Sequence, residues 1–334
     1  MKLLRSLTTH AVLLVGAAVF AWTVWTGEDG DLTESKSAVT VWNGTPASVE
    51  QISFESDETK VEVDGRKDAR GRYYIVKVDK AGFARPPEPE DRSSMEPPAA
   101  SSERKVTRAI SVEGAGELVK LLAPLKAVRA LGRLPKGRAE EFGFDKPTGT
   151  IRVKLGGATQ QLVVGGSTPG GGDYYVKLAS SGEAYVVDGQ VVRMLSHAEN
   201  RLTERDLHKY EPDTLKRIKI TASGGTLELV DLEGEGWARS SLRTKKDETA
   251  GNWMTKVAGL SITEYLEKLP SDAKRVLRLD YLGSTEPIGF LEMYKQPGEK
   301  HPKYYVRSER SRWFGQTLQS VAEQVEQDLP SVLK

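Results

Sequence analysis

The segment PASVEQISFESDETKVEV, beginning at Pro46, recurs without a gap as PDTLKRIKITASGGTLEL from Pro212, 166 positions on. Val49 then matches Leu215, Ile52 matches Ile218, Phe54 matches Ile220, Val61 matches Leu227 and Val63 matches Leu229. In each copy apolar and polar residues alternate, which is the period of a strand with one buried face, so each copy predicts a pair of strands. Further along, DYYVK at 173–177 returns as KYYVR at 303–307, only 130 positions on. The second copy is therefore shorter by about 36 residues. Two copies are too few for a solenoid, and each is long enough for its own core. The expected fold is two related α+β repeats with antiparallel sheets, residues 39–200 and 201–334.

Within the first copy, SVEQISFES, KVEVDG and RYYIVKV read as strands. RPPEPEDRSSMEPPAASSERK, residues 85–105, is too rich in proline, glutamate and serine for a core and reads as a flexible insertion. Leu118, Leu121, Leu122, Leu125 and Val128 lie at helical spacing, with a kink or restart expected at Pro124. TIRVKL, QQLVVG, DYYVKL and EAYVVD predict hairpins, and GQVVRML a short helix. In the second copy a helix ending in Leu269 is the expected counterpart of the one around Leu125. A terminal helix carrying Leu318, Val321, Val325 and Leu329 is the expected counterpart of the one around Met194.

Before the first copy, residues 6–27 contain no charged side chain and are centred on AVLLVGAAVFAWTVW. As a helix they would span roughly 33 Å, one hydrocarbon core. Lys2 and Arg5 precede the run, while Glu28, Asp29 and Asp31 follow it. The positive-inside rule then predicts a single-pass inner-membrane protein with a cytoplasmic tip (1–5), an anchor (6–27), a spacer (28–38) and a periplasmic body. Gly16, Ala17 and Ala18 would let the anchor pack closely against another membrane helix. A cleaved signal peptide is the rival reading, opposed by Trp22 and Trp25, which stand where small residues are wanted.

The candidate chemical motifs read as structure. GGSTPGGGDYYV, residues 165–176, has no Lys-Ser or Lys-Thr after its glycines and runs into a strand, so it predicts a turn rather than a phosphate loop. DLEGEG, residues 231–236, begins like a calcium loop, but Leu242 stands where the bidentate Glu belongs, so a hairpin loop is expected. Ser102 and Lys105 form an S-x-x-K pair inside the insertion, and Glu140 with Glu141 is one of many adjacent carboxylate pairs. The run Lys126, Arg129, Arg133, Lys136 and Arg138 reads as a solvated helix and loop, with anionic lipid or glycan as the alternative contact. NGT at 43–45 is an incidental sequon. Four histidines (His10, His197, His208, His301) and no cysteine leave little for metal or general-base work, and exclude disulfides and thiolate sites. Basic and acidic residues balance at 48 against 47, which gives no field to steer nucleic acid. No catalytic, cofactor or metal site is expected.

One stretch carries a resemblance. AEEFGFDKPTGTIRVKL at 139–155, then LVVGGSTPGGGDYYVKL and AYVVDGQVVRML, resembles the core of a bacterial family of domains of unknown function, number 4340 in its series. The residues concerned are the turn Phe142-Gly143-Phe144-Asp145-Lys146-Pro147 and the turn Gly166-Ser167-Thr168-Pro169; Phe144 and the Pro-rich insertion depart from the family pattern. The family brings no catalytic residue. What the resemblance implies is a context, proteins associated with ABC-type permeases and auxiliary proteins like those of gliding-motility transporters. The expected function is thus a non-enzymatic, membrane-anchored accessory or interaction protein of an ABC-type transport complex. A cell-envelope module binding peptidoglycan, glycan or lipid is the alternative, with an envelope hydrolase behind it.

Overall fold

A computed structural model describes residues 38–81, 104–135 and 137–334. The predicted anchor, with Gly16, Ala17 and Ala18, and most of the Pro-rich insertion lie outside these residues. Among the described residues no helix is long and apolar enough to cross a membrane.

In the first repeat, β1 (Val39–Trp42) is followed by β2 (Val49–Glu55), β3 (Thr59–Asp68), β4 (Gly71–Lys80) and β5 (Lys105–Ser111). Helix α1 (Glu113–Leu122) leads into β6 (Leu125–Ala127) and β7 (Arg129–Arg133). Then come β8 (Gly149–Leu155), β9 (Ala158–Ser167), β10 (Asp173–Leu178) and β11 (Glu183–Asp188), closed by α2 (Gly189–Ser196) and α3 (Ala198–Arg201). The second repeat comprises β12 (Arg217–Ala222), β13 (Gly225–Asp231), β14 (Trp237–Arg239), α4 (Glu248–Ala258), β15 (Glu264–Leu266), β16 (Lys274–Leu282), β17 (Pro287–Gln296), β18 (Lys303–Ser308), β19 (Phe314–Gln316) and α5 (Gln319–Leu333).

The two antiparallel sheets share one strand order. The first runs β5-β4-β3-β2-β8-β9-β10-β11-β7 and the second β14-β13-β12-β16-β17-β18-β19-β15, so within these two sheets β5 alone lacks a counterpart, while β1 and β6 form a separate two-stranded ladder in the first repeat. Registers agree as well: Ile52 faces Val63 and Phe54 faces Val61, just as Ile218 faces Leu229 and Ile220 faces Leu227. The repeat read from the sequence is therefore a structural duplication. It extends to the helices, where Ala115, Leu118, Val119 and Leu122 of α1 recur 135 positions on as Ala250, Trp253, Met254 and Val257 of α4, all buried. These faces, spaced i, i+3, i+4, i+7, seal one side of each sheet. Each of the leucine, valine and methionine side chains among them contributes about 1.5–3 kcal/mol by leaving water.

The helical elements differ from expectation in three places. The helix at Leu118 stops at Leu122, and Leu125–Ala127 is strand β6, paired with β1. Pro124 cannot donate a helical hydrogen bond and its ring collides with the preceding turn, so the chain leaves the helix instead of kinking. Its counterpart ends at Ala258 rather than Leu269, where Gly259 closes the last turn on the carbonyls of Thr255 and Lys256. The basic run consequently lies on strands: Lys126 on β6, Arg129 and Arg133 on β7. In α5 the buried face is Ala322, Val325, Leu329 and Val332, while Leu318 precedes the helix and is 53% exposed. The insertion also ends earlier than expected, because Lys105 opens β5.

The repeats are docked, not merely tethered. Ala109 and Ile110 of β5 are buried in the second repeat's core, with Tyr73, Ile75 and Val112 packed beside them. The β18–β19 loop of the second repeat inserts Arg310 and Arg312 among acids of the first repeat and linker. Arg310, its side chain 6% exposed, bridges Glu204 at 2.8 Å and Glu113 at 3.0 Å, and donates to the His208 carbonyl at 3.1 Å. Arg312 pairs with Asp68 at 3.2 Å and stacks over the Tyr73 ring. From the other side Arg70 donates to the carbonyls of Glu309 and Ser311.

Candidate functional site

The two motifs that carry the family resemblance meet in the structure. The Phe142–Pro147 turn lies on the open face of the first sheet, over Gly165 and Gly166 of β9. Gly143 adopts φ +70°, and a Cβ there would stand 2.5 Å from the Gly166 nitrogen. A Cβ at Gly165 would collide with the Phe142 carbonyl oxygen and stand 2.9 Å from the Phe144 ring. Glycine is thus required on both surfaces. Thr148 Oγ1 donates to the Gly165 carbonyl at 2.7 Å, Phe142 packs edge-on against Tyr175, and Lys177 sits over Phe144. In the second repeat Tyr294, opposite Tyr305 on β18, occupies the Gly165 position. Its ring packs on Phe314, so that face is filled by its own side chains where the first repeat uses a turn. This cluster is architecture.

The other motifs fall in place as loops or pairs. Thr168–Gly172 joins β9 to β10, with the Gly171 N–H bonded to the Thr168 carbonyl, a hairpin turn as read from the sequence. Asp231–Gly236 joins β13 to β14 and is closed by Leu232 N–H on the Gly236 carbonyl. Glu141 pairs with Arg138 at 2.6 Å, and Lys105 with Glu199 at 3.5 Å; Ser102 and Lys136 lie outside the described residues. Among the described residues no group of three or more His, Asp and Glu side chains is placed to hold a metal ion.

The feature the sequence reading passed over is a groove of about 620 Å³ in the second repeat, between the inter-repeat linker and α4. Leu207, Trp237, Met254, Val257 and Leu260 give it apolar walls; His208, Tyr210 and Tyr281 form its polar floor. His208 Nδ1 lies 3.0 and 3.2 Å from the two Glu309 oxygens, and its ring packs edge-on against Tyr281 with centroids 4.6 Å apart. Glu309 also accepts the Phe290 N–H at 3.0 Å, which fixes the carboxylate. Burial, with Tyr210 and Glu309 nearby, raises the Tyr281 pKa well above that of free tyrosine, and burial with Glu309 raises that of Tyr210. Both phenols stay protonated donors at neutral pH. Among the described residues Glu309 is the only side chain hydrogen-bonded to the His208 ring, so the floor is built to hold its shape.

The duplication gives the groove a counterpart: in the first repeat a groove of about 470 Å³ is lined by Lys120, Leu125 and Lys126, which stand 135 positions before Thr255, Leu260 and Ser261. Extended four residues upstream of Pro46 and Pro212, the repeat places His208 on Trp42 and Leu207 on Val41. In the first repeat Trp42 is buried and its indole N–H donates to the Leu122 carbonyl at 2.7 Å, tying β1 to the end of α1. In the second, imidazole replaces indole and turns toward Glu309. The β1–β6 ladder has dwindled there to one backbone bond, Ile262 N–H to the Arg205 carbonyl at 3.2 Å.

A family model described as Domain of unknown function (DUF4340) matches residues 115–281, from α1 across the junction to β16, and includes both signature turns. No curated protein and no solved structure matches.

Proposed function

The chain belongs to the DUF4340 family, and from that premise we propose that it is a non-enzymatic, membrane-anchored accessory protein that docks onto an ABC-type transport complex. In this reading residues 6–27 form a single-pass inner-membrane anchor with the N-terminus cytoplasmic. Gly16, Ala17 and Ala18 give the anchor a smooth face for a permease helix, and the body works in the periplasm. The observation that carries the reading is the groove of the second repeat. Its walls are apolar and its histidine is locked to a carboxylate, a concave apolar surface suited to receiving a side chain of another protein. Docking of the repeats into one body supports it further, since a rigid scaffold presents such a groove without an ordering cost.

The test is crosslinking in intact cells followed by purification of the full chain in mild detergent and mass spectrometry of what accompanies it. A permease and its ATPase in stoichiometric amounts are expected. Replacing Gly16, Ala17 and Ala18 together by leucine should reduce their recovery severalfold. Recovery of the protein alone, or with cell-wall fragments, would overturn the reading in favour of an envelope-binding module.

A further inference from the structure

We propose that the acidic segment 28–37 folds back on the first repeat and continues β1 along the open edge of β7, with Asp31 and Glu34 against Arg129 and Arg133. This contact lies within one chain and holds with or without a transport partner. β7 is the last strand of its sheet and pairs only with β11, so its other edge presents backbone groups that no described strand takes up. Arg129, Ala130 and Arg133 are exposed on it, as is Lys126 just before it. Arg138 has Glu141, but among the described residues Lys126, Arg129 and Arg133 have no acidic partner. In the second repeat the same edge is covered. β15 stands for β7, 135 positions on, and is likewise the last strand of its sheet. β5 of the first repeat packs against it, with Arg108 paired to Glu267 and stacked over Trp313.

The course of the chain delivers segment 28–37 to this edge. β1 runs antiparallel to β6 with Val39 opposite Ala127, so the residues before Val39 head toward Val128 and β7. Ala38, where the description begins, already lies in the first repeat's groove beside Lys126 and Val128. Glu34 and Asp31 stand four and seven positions earlier, a reach of about 13 and 23 Å in an extended chain. β7 itself extends over about 17 Å, so the two acids fall along its length. The charges are complementary: Glu28, Asp29, Asp31 and Glu34 are opposed within the segment by Lys36 alone. The Pro-rich insertion, the other acidic stretch, leaves from β4 and returns to β5 at the opposite end of the nine-stranded sheet. At about 4.8 Å per strand it would touch β7 only as a fully stretched loop.

The absence of native cysteine makes the test clean. Full-length protein in mild detergent carries either Ser35→Cys with Ala130→Cys on β7, or Ser35→Cys with Lys120→Cys on α1, which lines the same groove as Ala38. A short bismaleimide is added and intrachain products are measured by peptide mass spectrometry. The 35–130 product should exceed the 35–120 product at least about fivefold, and neutralising the acids (Glu28→Gln, Asp29→Asn, Asp31→Asn, Glu34→Gln) should bring the two within about twofold. Equal yields in the acidic protein would overturn the proposal, because a loose tether reaches both sites. A preference unchanged by the amide variant would overturn it as well, since charge would not be what holds the segment. Loss of the preference when phosphatidylglycerol is mixed into the detergent would do the same and assign the basic strand to lipid headgroups.

Discussion

Replacing Arg310 with methionine is expected to destabilise the protein by about 3–5 kcal/mol, the usual consequence of leaving a buried charge without its partner. The stranded charge is Glu204, itself buried, which exchanges a 2.8 Å ion pair for an apolar neighbour. Burial works against the Arg310 charge and the two carboxylates work for it; the balance raises its pKa, so guanidinium and carboxylates are held as one charged set. A double variant, Arg310→Met with Glu204→Met, should recover a large part of the loss, because no uncompensated charge then remains inside. Urea denaturation of the three proteins checks this. Equal midpoints for wild type and Arg310→Met would show that the repeats are not held by this loop.

Gly165→Val is expected to cost about 2–4 kcal/mol, the sum of overpacking and the loss of the aromatic contacts the turn brings. The branched side chain would occupy the space of the Phe142 carbonyl and the Phe144 ring, forcing the Phe142–Pro147 turn off the sheet. The Thr148 bond to the Gly165 carbonyl and the Phe142 contact with Tyr175 would go with it. Such a loss corresponds to a fall in melting temperature of roughly 4–16 °C for a chain of this size class. Gly166→Ala is the control: a Cβ at 166 meets nothing closer than 3.7 Å and should be tolerated. Similar melting temperatures for the two variants would contradict the packing account of the signature glycines.

The duplication was legible because it is written in strict alternation, and alternation survives divergence: Ile52 and Ile218, or Phe54 and Ile220, need only stay apolar to stay buried. Strand β5 was not legible because its pattern serves two masters. Val106 is 52% exposed at one end, while Ala109 and Ile110, adjacent in sequence, are both buried against the second repeat, which breaks the period of two. The junction was hidden for another reason. Arg310 and Arg312 meet Asp68, Glu113 and Glu204 only after folding, and local sequence says nothing about charges that complement one another across more than a hundred residues. The groove lay within reach. Carrying the repeat upstream sets His208 on Trp42, and the 135 offset sets α4 on α1, so the residues that line the groove can be paired with those of the first repeat.

The claim that most needs testing is that the groove of the second repeat is where a membrane transport partner docks. A photo-crosslinking amino acid placed at Thr255, on the exposed rim of the groove, is compared in living cells with the same residue at Lys60, an exposed position on β3 of the first repeat. Crosslinks from position 255 to a membrane transport protein, absent from position 60, are the predicted result. Equal crosslinking from both positions, or none from 255 while the protein is folded and at the membrane, would contradict the account.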